Sequence, residues 1–222
     1  MGGYSAAQDS SFYIEAPHAI IVDVATGEVL FEKDARVPMS PASMTKIMTA
    51  HMIFDALKDG IISPDTKYLV SDDAWRRGGV LSGSSTMFLE AGSSVAVMDL
   101  LRGIVVQSGN DACIAIAEGM AGSEEFFANR MNAKAKEMGL TTANFKNATG
   151  WPHPEHKISA FDLATLTKYS MDNHPDYFTI YSERSFTWNG ITQDNRNPLL
   201  DKFIGADGVK TGSTEDSGYG LV

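Results

Sequence analysis

A chain of 222 residues, 43% hydrophobic and 21% charged, is long enough to bury a substantial core and is not compositionally disordered. Its formal net charge is −10, and its densest basic clusters, Trp75–Arg77 and Lys134–Lys136, are too small for a nucleic-acid interface. We therefore predict a globular protein that has no nucleic-acid partner.

The single cysteine, Cys113, excludes an intrachain disulfide. It lies in the apolar run Ala112–Ile116, which favours a buried structural thiol over a reactive nucleophile. The apolar stretches fall short of the ~20 residues that a membrane-spanning helix needs. No signal peptide is found, but such a segment is removed from mature proteins, so its absence leaves the location open.

The first predicted elements are a β-hairpin and a long helix. His18–Val24 is rich in Ile and Val, a turn follows at Gly27, and Glu28–Phe31 forms the second strand. From Ala42 to Lys58, apolar residues recur at steps of three and four, which predicts a helix that ends at Gly60.

Further helices are predicted in the middle of the chain and further strands at its end. Ser123 is a candidate N-cap of one helix, and Ser159–Asp162 resembles a capping box that opens another, ending near Met171. Two helices are predicted before Ser123, at Met98–Val106 and Asp111–Met120, and the helix that Ser123 caps is Glu124–Met138. The last predicted strands are Ser185–Trp188, Ile191–Thr192, Gly208–Ser213 and Gly218–Val222.

This order of strands, helices and strands predicts an α+β fold rather than alternating βαβ units. We expect one domain over residues 1–222. Its antiparallel sheet is built from both chain ends, about 17–37 and 183–222, and a helical part of about 41–182 is inserted between them.

Three short motifs occur once each and in order. They are Ser43-Met44-Thr45-Lys46, Ser108-Gly109-Asn110 and Lys210-Thr211-Gly212. Each is weak alone, but together they match the SxxK, SDN and KTG set of penicillin-binding proteins and class A β-lactamases.

The chemistry of the first motif starts with the serine, whose hydroxyl is a poor nucleophile until a base takes its proton. Ser43 and Lys46 share one helix face with about 5–6 Å between their Cβ atoms. Lys46 acts as a base only if its pKa falls, which burial and a second cation such as Lys210 promote. The N–H of Ser43 at the helix start is a candidate oxyanion donor.

The other two motifs place polar groups around this pair. Ser108 is a candidate proton relay, and Asn110 is a candidate ligand of the substrate carbonyl. The alternative is that Asn110 or Asp111 only caps the following helix, and both interpretations hold if Asp111 caps while Asn110 faces the cleft. On the last motif, alternation puts Lys210 and Gly212 on one strand face. Lys210 can bind a carboxylate there, and Gly212 allows a close backbone approach.

With these motifs in place, the sequence resembles the low-molecular-mass penicillin-binding proteins of the D-alanyl-D-alanine carboxypeptidase type. The resemblance runs from about Ala19 to Val222. The segments that carry it are Pro41–Thr49, Gly83–Leu89, Gln107–Ala112, Asn195–Asn197 and Asp207–Gly212.

The resemblance implies a β-lactamase/transpeptidase-like fold and hydrolysis of peptidoglycan pentapeptides through an acyl-serine, inhibited by β-lactams. It makes Ser43 the nucleophile, Lys46 its general base, and Ser108 and Asn110 the second catalytic element. It also implies that Lys210 and Thr211 bind the terminal carboxylate, beside Gly212. The N–H groups of Ser43 and Ser213 form the oxyanion hole, and Arg196 is a weaker candidate for substrate binding.

By the same resemblance we expect no cofactor or metal and an extracytoplasmic location. Two features depart from the family. Ser213 stands where the family often has His, which we expect to tune the site because the N–H is kept. The chain also stops at Val222, where the family continues through further strands, a helix and often a β-rich domain with a membrane anchor. We therefore expect membrane association only through an anchor that this chain lacks.

Three alternatives remain open at this point. A class A β-lactamase would carry a glutamate in a Glu-x-x-x-Asn segment, and the nearest candidate, Glu155, has Ser159 four residues later. A penicillin receptor would be acylated without turnover. A zinc peptidase would need ligands such as His153 and His156, which sit in a Pro-rich loop and are more typical of surface residues.

Overall fold

The structure is a computed structural model that describes residues 13–222. Its helices are α1 (Lys46–Lys58), α2 (Val97–Val105), α3 (Asn110–Ala121), α4 (Glu124–Glu137), α5 (Ala160–Asn173), α6 (Pro175–Phe178) and α7 (Leu199–Lys202). Its strands are β1 (Ala19–Val22), β2 (Val29–Lys33), β3 (Lys67–Leu69), β4 (Ser94–Ala96), β5 (Ser185–Trp188), β6 (Ile191–Asp194), β7 (Thr211–Thr214) and β8 (Gly218–Leu221). Every predicted helix and hairpin is present, which confirms the α+β class. No helix formed by residues 13–222 is long and apolar enough to cross a lipid bilayer.

The α1 helix forms the centre of the core. Its residues Ile47, Met48, Ile53 and Phe54 are fully buried, and the helix contacts α2, α4 and α5. A short 3₁₀ helix, Ala42–Thr45, leads into it, so the predicted single helix begins with a tighter turn. This central position holds the start of α1 between the other elements.

Both predicted serine N-caps are present, and the one at Ser159 also involves the loop residue Thr142. The Ser123 hydroxyl accepts from the N–H of Phe126, 3.1 Å away, and Ser159 accepts from the N–H of Asp162, also at 3.1 Å. Asp162 does not return to Ser159 as a capping box requires. Its carboxylate accepts instead from the N–H and the hydroxyl of Thr142, and the Thr142 hydroxyl accepts from Ser159.

The strands form four antiparallel pairs, β1–β2, β3–β4, β5–β6 and β7–β8. The terminal hairpins pack on different helical elements: β1 contacts α5, while β7 and β8 contact the 3₁₀ helix Ala42–Thr45. Within residues 13–222 these hairpins are not hydrogen-bonded into the one sheet that the sequence analysis expects.

The β7 strand begins later than the predicted Gly208. The N–H groups of Val209 and Lys210 both donate to the carbonyl of Val222, at 2.7 and 3.1 Å. Two donors on one carbonyl break the regular ladder, so the strand starts at Thr211.

A polar cluster ties α1 to α4 and α5. The Asp55 carboxylate accepts from Lys134 Nζ at 2.9 Å and from His174 Nε2 at 2.8 Å. His51 is fully buried, and its Nδ1 lies 2.9 Å from the Ser170 hydroxyl. This hydrogen bond between Ser170 and His51 can form with a neutral imidazole, because a hydroxyl can either donate or accept.

Buried histidines make stability pH-dependent. Burial lowers the pKa of His51 to about 4, and burial together with nearby positive charges lowers that of His156 to about 4. Unfolded histidine titrates near 6.5, so the unfolded chain binds more protons between about pH 6.5 and 4. Each residue therefore removes about 3 kcal/mol of stability as the pH falls through that window. Urea unfolding at pH 7, 5.5 and 4 should show this loss. An unfolding free energy that stays constant down to pH 4 would contradict it.

Candidate active site

A cleft of about 460 Å³ opens beside the start of α1. It is lined by six separate parts of the chain: the first motif, the loop after residue 82, the start of α3, the loop before α5, the end of β6 with the residues after it, and β7. These lining residues are Ser43, Gly83, Ser84, Ser85, Thr86, Phe88, Asn110, Thr149, Gly150, Trp151, Gln193, Arg196, Ser213 and Thr214. The predicted nucleophile thus faces a space large enough for a peptide terminus.

Lys46 lies directly behind Ser43. Its Nζ is 2.9 Å from the Ser43 hydroxyl, 2.8 Å from Asn110 Oδ1 and 2.9 Å from the carbonyl of Thr149. Lys46 itself is 1% exposed. The predicted contact between the two ends of the first motif is therefore present.

These three contacts orient the amine. A neutral amine has two N–H bonds and one lone pair, and the Thr149 carbonyl can only accept. The Asn110 amide oxygen also accepts, because its nitrogen donates to the Ser84 hydroxyl at 2.9 Å. Both N–H bonds of neutral Lys46 are thus used, and the lone pair is left facing Ser43. This is the geometry that removal of the hydroxyl proton requires.

Electrostatics favour this neutral form. Burial is the largest cause that lowers the pKa of Lys46 to about 8, and the positive charge of Arg196 acts in the same direction. Arg196 is thus a cation beside Lys46 that the sequence did not indicate. Lys210, the candidate second cation, also lies near Lys46: burial and the charges of Lys46 and Arg196 hold the pKa of Lys210 well below its ordinary value.

The third motif packs against the first through a glycine. A Cβ on Gly212 would lie 2.8 Å from the carbonyl oxygen of Pro41 and 3.1 Å from the amide nitrogen of Met44, closer than ordinary side-chain contacts. The backbone that closely approaches Gly212 is thus that of Pro41 and Met44 in this same chain. Lys210 and Gly212 are both buried, as the alternation predicts, while Thr211 between them is partly exposed.

The second motif is held by a buried carboxylate. Asp111 accepts from the Thr86 hydroxyl at 2.7 Å and from the N–H groups of Met87 and Leu89 at 2.8 and 3.0 Å. The N-cap of α3 is Gly109, so neither Asn110 nor Asp111 caps this helix with its side chain, and the alternative of a simple cap does not hold. The negative charge of Asp111 instead fixes the segment that lines the cleft opposite α1.

Ser108 and Asn110 differ in their access to the cleft. Asn110 belongs to the lining, whereas Ser108, 2% exposed, is not among the lining residues found in the described part of the chain. The backbone of Ser108 has φ 57°, a strained conformation for a residue other than glycine. The relay role of Ser108 stays a prediction.

Hydrogen bonds of the two flanking residues position Arg196 at the cleft. Asn195 donates to the carbonyl of Glu183 at 3.0 Å, and Asn197 donates to that of Gly208 at 2.6 Å. The guanidinium between them donates to the hydroxyl of Ser85. Arg196 is therefore a stronger candidate for substrate binding than its weak sequence signal indicates.

The sequence model of the D-alanyl-D-alanine carboxypeptidase family matches residues 4–222. The chain belongs to this family. It is 44% identical over 216 residues to D-alanyl-D-alanine carboxypeptidase DacC of Escherichia coli, covering 94% of this chain and 54% of that protein. The DacD protein of Salmonella typhimurium is 42% identical over 211 residues, with the same coverage.

A solved structure confirms the shared fold. Penicillin binding protein 5 from Haemophilus influenzae superposes with a TM-score of 0.90 at 38% identity, covering 94% of this chain and 60% of that one. The chain thus spans about half the length of the curated relatives it matches. The family's transpeptidase-like fold is established for the described residues.

The site also contains a loop that the sequence analysis did not connect with the family's motifs. Residues 145–156 contribute Thr149, Gly150 and Trp151 to the cleft. Gly150 has φ 87°, and a Cβ on it would meet the carbonyl oxygen of Ala42 at 1.8 Å. A turn signal at Gly150 was visible in the sequence, but its long-range contact was not.

The two loop histidines differ in environment. His153 is exposed, as expected, but His156 is 1% exposed and not a surface residue. Its Nε2 lies 2.9 Å from the Thr45 hydroxyl, and its Nδ1 accepts from the N–H of Lys146 at 3.2 Å. Both ring nitrogens are occupied, so the zinc interpretation lacks a free ligand atom at His156.

Two further interpretations from the sequence concern Glu155 and Cys113. Glu155 is exposed and pairs with Lys146 at 3.1 Å, so it lies on the surface and not in the cleft where a β-lactamase needs its base. Cys113 is fully buried, and burial raises the pKa of its thiol to about 12. The interpretation of Cys113 as a structural thiol is confirmed.

Proposed function

We propose that this chain is the catalytic part of a serine D-Ala-D-Ala carboxypeptidase. It removes the terminal D-alanine of peptidoglycan stem peptides and is acylated by penicillins. The observation that carries this proposal is the buried Lys46 amine, 2.9 Å from the Ser43 hydroxyl and held by Asn110 and Thr149. The membership in the family and the names of the relatives support the same substrate class.

In the proposed reaction, Ser43 Oγ attacks the carbonyl carbon between the two D-alanines while its proton passes to Lys46. The N–H groups of Ser43 and Ser213 stabilise the developing oxyanion. The C–N bond then breaks, the leaving amine takes a proton by way of Ser108, and an acyl-serine remains. Water hydrolyses this ester to give the shortened peptide and free Ser43. Asn110 has one further amide N–H, which binds the substrate carbonyl.

The proposal places the protein outside the cytoplasm, where its peptide substrate is found, with β-lactams as inhibitors that mimic this peptide. It assigns no metal or cofactor to the reaction.

Release of D-alanine tests this function directly. A peptide ending in D-Ala-D-Ala should lose one D-alanine per turnover, and benzylpenicillin should block the reaction. Acylation by penicillin without any release of D-alanine would favour a receptor. Rapid multiple turnover of penicillin would favour a β-lactamase.

Lys210 predicts a preference for a free C-terminal carboxylate. It is buried near Lys46 and Arg196, its amine donates to the carbonyl of Thr211 at 3.1 Å, and neither Lys210 nor Arg196 has a carboxylate partner among the ion pairs of residues 13–222. A peptide with a C-terminal amide should react at least about 10-fold more slowly than the free acid, because charged hydrogen bonds contribute ~1.5–3 kcal/mol. Lys210→Ala should reduce this difference, while Lys202→Ala, an exposed change nearby, should retain it. Equal rates of wild-type protein on both peptides would overturn the assignment.

A further inference from the structure

The start of α1, with the 3₁₀ helix Ala42–Thr45 before it, meets the loop 145–156 through a row of hydrogen bonds. Ala42, Thr45 and Thr49 share one face at steps of three and four positions, and Lys46 lies at the edge of that face, three positions before Thr49. Thr45 and Thr49 are fully buried, and the Thr49 hydroxyl donates to the carbonyl of Ala148 at 2.7 Å. The neighbouring contacts are those of Lys46 with Thr149 and of Thr45 with His156.

The proton positions on His156 follow from its partners. A backbone N–H can only donate, so Nδ1, which faces the N–H of Lys146, carries no proton. Neutral His156 therefore has its proton on Nε2 and donates it to the Thr45 hydroxyl. The side chain connects the far end of the loop to the residue that precedes Lys46.

This connection bears on the base. The Thr149 carbonyl takes one of the two N–H bonds of neutral Lys46, and the loop that carries it is in backbone contact with Ala42 at Gly150. A shift of the loop would release that N–H and let the lone pair turn away from Ser43. Misplacement of a reacting group by about 1 Å can cost ~10²-fold in rate.

We propose that His156 is a positioning residue for acylation: through Thr45 it holds the loop so that the Thr149 carbonyl keeps the lone pair of Lys46 on Ser43. This role rests on the proposed function. It differs from a general structural role because it predicts an effect on the base itself.

The test compares His156→Leu, His156→Gln and Thr45→Val with a matched control, His153→Gln, in the same loop. His156→Leu should slow acylation by benzylpenicillin about 10- to 100-fold per active site. With a D-Ala-D-Ala peptide it should lower kcat while KM changes less than about threefold. Its kinetic pKa should rise from about 8 toward the ordinary lysine value, because water reaches Lys46 and burial is the main cause of the low pKa.

The other variants separate positioning from folding. His156→Gln should regain most of the rate, because an amide both accepts and donates, and His153→Gln should match the wild type. Thr45→Val should behave like His156→Leu, and the double variant should be no slower than either single one.

Wild-type acylation rate and kinetic pKa in folded His156→Leu, even with a lower Tm, would overturn the proposal and leave a structural role only. If that variant does not fold, wild-type kinetics in Thr45→Val would overturn it equally. Failure of the wild-type protein to be acylated at Ser43 would instead refute the proposed function.

Discussion

Ser43→Ala should abolish acylation by penicillin and lower the release of D-alanine by about 10³-fold or more. The hydroxyl is the atom that forms the acyl bond, and no second hydroxyl lies within hydrogen-bond distance of Lys46 Nζ in residues 13–222. Because the change removes one oxygen from a partly exposed side chain, Tm should stay close to the wild-type value. Gel labelling with a fluorescent penicillin and a D-alanine assay measure the two effects.

Ser40→Ala, three residues earlier and outside the cleft lining, is the matched control and should keep full labelling. Undiminished labelling of Ser43→Ala would remove Ser43 from the nucleophile role, and the assignment of the cleft would fail with it.

Lys46→Met should slow acylation about 10²- to 10⁴-fold, the usual contribution of a positioned general base. Lys46→Arg should be similarly slow, because a guanidinium keeps the charge but cannot be neutral near pH 8. In the wild type, burial lowers the pKa of Lys46 to about 8. Only the deprotonated amine is a competent base, and it becomes the major form above that pH. The acylation rate should therefore rise about tenfold per pH unit below pH 8 and level off above it.

Lys58→Met, at the exposed end of the same helix, serves as the control and should leave the pH profile unchanged. A flat wild-type profile from pH 6 to pH 10, or a fast Lys46→Arg, would show that the amine does not act as the base.

Local patterns predicted the elements well where the signal lies within a few residues. The β1–β2 hairpin, the α1 helix and the Ser123 cap all depend on neighbours in the sequence. The β3–β4 pair was missed, because its short strands are about 25 residues apart and neither has an alternating pattern long enough to identify.

The motifs predicted the reacting side chains of the site, but they did not predict the backbone groups that orient them. The spacing of Ser43 and Lys46 fixes their contact, since one helical turn separates them. The Thr149 carbonyl and the burial of His156 depend on where the loop 145–156 folds, and a carbonyl is present in every residue. Sequence patterns therefore identify the reacting side chains, while the groups that orient them require the fold.

The central claim is that Ser43 becomes acylated with Lys46 as its base. Intact mass after incubation with benzylpenicillin, followed by peptide mapping, tests it most directly. We predict one adduct per chain, located on Ser43 and formed faster at pH 8 than at pH 6. The absence of an adduct, or an adduct on any other residue, would contradict the account.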